Sequence, residues 1–122
     1  MAAPNIVNVT SIYGRTRGQD LTTTTTAGIL TCASDKLLKV NSIIVANIDG
    51  TNSADVTVSF FDNSQSSAKA LASTVAVPAD STLVVIGKDS PIYLEESDEI
   101  RGGASADGDL EVIISYEELD DA

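Results

Sequence analysis

An all-β fold, an antiparallel β-sandwich or jelly roll with roughly eight strands, is the class this sequence predicts. Three observations predict it. Apolar residues recur with a period of two through most of the chain, turn-forming clusters interrupt them at short and even intervals, and no segment carries the period of an amphipathic helix. Composition agrees, since threonine, serine, valine and alanine dominate, aromatics make up 4% and tryptophan is absent. Such a chain favours many thinly packed strands over large aromatic-filled pockets. At 122 residues it is long enough for one core and too short for two, so it reads as a single domain, 1–122, with residues 1–20 as an N-terminal arm.

From the N-terminus, "NIVNVTSIYG" alternates Ile6 with polar neighbours and reads as a strand, whereas "RTRGQD" reads as a basic, glycine-containing loop. "LTTTTTAGILTCA" is rich in β-branched threonine and fits an exposed or edge strand. In "LLKVNSIIVANI" Leu38, Val40, Ile44, Ala46 and Ile48 fall on one side and Lys39, Asn41 and Asn47 on the other, the pattern of a long central strand. After the turn-rich "DGTNSA", the segment "DVTVSFF" puts Val56, Val58 and Phe60 on one face with Thr57 and Ser59 opposite. Those two strands are expected to pair as a hairpin.

Beyond the polar "DNSQSS", the segment "LASTVAVPA" carries Leu71, Val75 and Val77 in step and ends at Pro78, which cannot donate to a sheet ladder. "STLVVIG" is continuously apolar and is expected to be covered on both faces. "PIYL" reads as a strand, "EESD" as a solvated turn and "EIRGGASA" as a return strand. Last, "DLEVIISYEEL" places Leu110, Val112, Ile114 and Tyr116 on one face, entered through the Asp-Gly turn in "SADGDL".

A formal charge of −11 with no histidine argues against nucleic acid or an anionic membrane as partner, because both demand clustered Lys and Arg. Cys32 is the only cysteine, so no intramolecular disulfide forms, and a Cys/His zinc cluster is excluded. It is expected to be a small buried hydrophobe. "MAAPNIVNVT" has no basic region leading into an apolar core, so synthesis and folding in a cytoplasm are expected.

Glu95, Glu96, Asp98 and Glu99 crowd one turn. Glycoside hydrolysis needs two carboxylates across a cleft, one with a raised pKa, and acids in a wet turn do not meet that demand. Neither "EESDE" nor "DGD" (Asp107 and Asp109) has a full calcium spacing, and nucleophilic catalysis lacks its histidine base. No catalytic, cofactor or metal residue is therefore assigned, and the chain is not expected to be an enzyme. Arg101 reads as a partner for the nearby acids. The candidate contacts with a partner are Tyr13, an aromatic beside Gly14, and Arg15 and Arg17, whose guanidinium groups suit an acidic patch on another subunit.

"SPIYLEESDEIRGGASADGDLEVIISYEEL" resembles the C-terminal half of small β-sandwich virion proteins of tailed bacteriophages, of the type infecting marine bacteria, and "KVNSIIVANIDGTNSADVTVSFFD" resembles their middle. The likeness runs from about Leu30 to Leu119 and rests on strand and turn motifs. It implies a virion structural protein, above all a capsid decoration or cement protein that contacts the major capsid protein or other virion proteins. It also implies a homo-oligomer, a trimer among the options, made in the host cytoplasm and located in the virion. The alternatives are a neck, tail or receptor-facing component, and, from a different class, a carbohydrate- or ligand-binding sandwich with Tyr13 as its exposed aromatic.

Overall fold

The computed structural model describes residues 9–120; what was expected of residues 1–8, Ile6 among them, lies outside the described residues. Among the described residues nine strands form: β1 (Ser11–Asp20), β2 (Gly28–Thr31), β3 (Lys36–Asn47), β4 (Ala54–Asp62), β5 (Ser67–Val77), β6 (Thr82–Ile86), β7 (Ile92–Leu94), β8 (Glu99–Ala104) and β9 (Leu110–Asp120). The first sheet has the order β1-β9-β3-β6, with β7 also on β3, and the second has the order β2-β8-β4-β5. Every pairing is antiparallel.

The pairing is nested. The hairpin β4–β5 lies innermost, β3 pairs with β6 and β7, β2 with β8, and β1 with β9. One long antiparallel ribbon is thus rolled so that its members alternate between two facing sheets, which is the connectivity of a jelly roll. β6 lies against Ile43–Ala46 and β7 against Leu38–Val40, so the two share one flank of β3 and fill a single strand position. Pro91, with no amide hydrogen to donate, stands in the break between them.

Consecutive strands therefore mostly do not pair, which corrects the hairpin expected of β3 and β4. Both flanks of β3 are taken by β9 and by β6 with β7, and β4 is held between β5 and β8. The "DGTNSA" segment is instead a corner between sheets. Asn47, buried at the end of β3, donates through Nδ2 to the carbonyls of Asn52 (3.0 Å) and Val77 (2.9 Å) and accepts from the Asp49 amide (2.9 Å). Asp49 in turn accepts from the amides of Thr51 and Asn52, and these bonds hold its carboxyl below the usual range.

The long strand β3 also reverses phase. A register shift between Val40 and Ser42 leaves Asn41 as an extra residue, so the inward set is Leu38 and Val40 before the bulge and Ile43, Val45 and Asn47 after it. Strict alternation had put Ile44, Ala46 and Ile48 inside; Ile48 is instead exposed, and Ile44 and Ala46 are only half-buried. Inward residues of β4 (Val56, Val58) and β9 (Leu110, Val112, Ile114) complete the core, each fully buried and worth about 1.5–3 kcal/mol of transfer free energy. Phe60 and Tyr116 pack on its rim.

Two further expectations change. The apolar run of β6 is not covered on both faces, because β6 is an outer strand and Val84 points to the open side, beside Ile44. In β5 Val77 is buried and Leu71 half-buried, while Val75 is exposed on what is again an outer strand.

Cys32, between β2 and β3, is buried as expected, and its Sγ donates to the Lys36 carbonyl at 3.2 Å. Burial, reinforced by the charges of Asp98, Glu96 and Glu118 and opposed by a backbone hydrogen bond from Leu38, pushes its pKa from 9.0 up to about 11. In the native protein the thiol therefore stays protonated while the unfolded chain begins to ionise, so unfolding releases a proton between about pH 9 and 11. Stability is predicted to fall as pH rises through that window and to be unaffected by this group below it. Denaturant titrations of the wild type and Cys32→Ser check this, the variant losing the Cys32 contribution to the pH slope.

Candidate functional site

Among the described residues β1 is the outer strand of the first sheet, and β9 is the one strand with which it makes substantial contact. Its register brings Tyr13, Arg15, Arg17 and Gln19 opposite Glu118, Tyr116, Ile114 and Val112. Residues directly opposite in an antiparallel pair share a face, so this row lies on the side of the sheet that elsewhere faces the core. Yet residues 12–18 are exposed on both faces. The reason lies in the second sheet, where the outer strand β2 spans four residues against ten in β1 and leaves β1 overhanging.

The "RTRGQD" segment, expected as a loop, and Tyr13, expected beside one, are thus strand residues. Alternation with Gly14, Thr16 and Gly18 on the other face hides no apolar row, which is why the period of two signalled nothing here. Arg15 reaches Glu118 at 3.5 Å and stands 5.3 Å from the Tyr13 ring centroid, and Arg17 donates to Gln19 at 3.1 Å. The structure brings all three predicted contact residues onto one face of one strand. With Gly14, Thr16, Gly18 and Tyr116 the two arginines line an open groove of about 460 Å³. A Cβ built on Gly14 would meet nothing within 4 Å and one on Gly18 only the Val112 carbonyl at 4.0 Å, so neither glycine is required by its neighbours. Nearby, Lys36 pairs with Asp120 and with Glu118 (3.8 Å).

The acidic turn is not what its composition suggested. Asp98 is 3% exposed, with Oδ1 accepting the Asn63 amide and Oδ2 the Glu95 amide, both at 3.0 Å. It closes its own turn and ties that turn to the β4–β5 hairpin. Glu96 accepts from the Asp35 amide (3.0 Å), and Glu99 accepts from Arg101 Nε (2.8 Å) while Arg101 lies 3.7 Å from the centroid of the Phe61 ring. Among the four acids Glu95 alone is exposed without such a bond being formed by its carboxylate in the described structure, so the solvated-turn reading is corrected for Asp98 above all. The signal that could have revealed it is a back-capping spacing, a carboxylate three residues after the amide it caps.

Among the described residues no group of three or more His, Cys, Asp or Glu side chains is placed to hold a metal ion. Compared with known protein families, curated proteins and solved structures, the chain finds no match.

Proposed function

We propose that the chain is a non-enzymatic virion structural protein, a capsid decoration or cement protein whose many copies clip neighbouring capsid subunits. The observation that carries this reading is the overhanging β1, a ten-residue outer strand exposed on both faces over residues 12–18, which among the described residues offers backbone and side chains to a neighbour. The rolled sandwich supports it, since viral shells and lectins both use that architecture, and so does the resemblance over Leu30 to Leu119. A charge of −11 keeps free copies and decorated particles apart. Each contact is modest, and its effect multiplies with copy number. The lectin-like alternative needs an open face on Tyr13, and the Arg15 guanidinium lies over that ring.

The test is the ratio of this chain to the major capsid protein in purified particles, by quantitative mass spectrometry. Near-stoichiometric abundance is expected. On the order of a dozen copies would move the protein to the symmetric neck or tail, and absence from particles would overturn the virion reading.

A further inference from the structure

We infer that the edge of β1, which pairs with no other strand among the described residues, takes an extended segment of another protein as an added strand, and that this segment reads acid–large apolar–acid. The inference does not depend on the virion reading. In an antiparallel ladder every second residue turns its N–H and C=O toward the same neighbour, so with β9 on one side the other set of β1 faces outward. An exposed peptide edge of this length is a template for β-augmentation.

Side chains decide what is added. On one face Arg15 and Arg17 stand two residues apart, and a neighbouring strand places its own alternate side chains about 5 Å from them. Carboxylates there meet both guanidinium groups, Arg15 being held by an exposed contact to Glu118 and by its position over the Tyr13 ring, and Arg17 by a neutral amide. These are two of the seven basic residues on a chain that carries eighteen acids, so the edge is a local exception in an acidic surface.

On the other face Gly14 and Gly18 leave bare backbone, and a large apolar side chain between the two acids covers it. Ile12, 58% exposed beside Gly14, and Ile113, 38% exposed opposite Gly18, supply its apolar surroundings.

A second copy of this chain is the poorer occupant. Antiparallel self-pairing centred on residues 15–17 sets Arg15 or Arg17 of one copy opposite Arg15 or Arg17 of the other, and like charges directly opposite destabilise a sheet. The two bodies also repel through their net charge.

The probe is a fluorescein-labelled peptide, Thr-Glu-Val-Glu-Phe-Glu-Thr, titrated with the full chain and read by anisotropy, with amide NMR shifts as a second readout. Saturable binding is expected, with the largest shifts in residues 12–18, and binding weakens at least tenfold in Arg15→Glu/Arg17→Glu and with rising salt. A thermal scan of the double variant confirms that it folds, and the NMR map of the wild type tests the site without any substitution. The inference is overturned if the acidic peptide does not bind, if the same peptide with lysine for glutamate binds as well, or if a central proline leaves binding unchanged. A wild-type dimer by sedimentation that Arg15→Glu/Arg17→Glu abolishes would also overturn it, by giving the edge to a second copy.

Discussion

Asp98→Ala is expected to lower the unfolding free energy by about 3–4 kcal/mol, read as a shift of the denaturant midpoint at neutral pH with the slope unchanged. The carboxylate is buried and accepts two amides, those of Asn63 and Glu95, each at 3.0 Å. Hydrogen bonds to a charged acceptor contribute about 1.5–3 kcal/mol each, and alanine leaves both donors in a site too enclosed for full hydration. Melting should fall by about 10 °C or more. Asp98→Asn keeps one acceptor oxygen but turns an NH₂ group toward the other amide, so a smaller loss, about 2 kcal/mol, is expected. Glu95→Gln, on an exposed side chain of the same turn, should change stability by no more than about 0.5 kcal/mol. Equal midpoints for Asp98→Ala and Glu95→Gln would show that Asp98 holds nothing together.

Gly103→Ala should cost about 2–3 kcal/mol despite adding a single methyl group. A Cβ there would lie 2.6 Å from the Thr24 carbonyl oxygen and 2.9 Å from that of Thr22, both backbone atoms that cannot swing aside as a side chain can. The loop carrying them is bound to the same strand, for Ala104 donates to Thr22 (2.8 Å) and Gly102 to Ala27 (3.0 Å). Relieving the clash therefore breaks the loop's own hydrogen bonds. Gly14→Ala is the matched comparison, because nothing lies within 4 Å of its added Cβ, and it should be neutral or stabilising by about 0.5 kcal/mol. If the two substitutions melted alike, the close approach of the loop to β8 would be wrong.

The same loop explains the shape of the candidate site. "LTTTTTAGILTCA" reads as one strand, yet only Gly28–Thr31 pairs, and the residues before it cross over β8 instead. Threonine suits both an outer strand and an irregular, hydroxyl-rich crossing, so composition could not choose between them. A short β2 leaves β1 uncovered, and that overhang is what brings Tyr13, Arg15 and Arg17 into solvent on a sheet edge. Their residue types were legible as candidates for contact. Their common face was hidden, because a glycine-alternating strand with no buried side looks like a loop.

In β3 the alternation is equally clear on both sides of Asn41, but a one-residue bulge exchanges the faces, and only the mate strand β9 reveals where the extra residue falls. For Asp98 the ambiguity is chemical. A carboxylate among carboxylates looks solvated until a distant hairpin brings the Asn63 amide to it.

Local chemistry by itself determined that this chain makes strands, where most of them end, and that the core is built from Val, Ile and Leu on alternate positions. A period of two, β-branched residues and Gly, Pro and Asp-Gly punctuation act over a few residues, and so they are written in the order of the chain. Which strands pair was decided only by the tertiary structure. In a rolled ribbon, β1 meets β9 and β2 meets β8 across most of the chain, and those partners are selected by the burial of two whole sheet faces together rather than by any neighbouring residues.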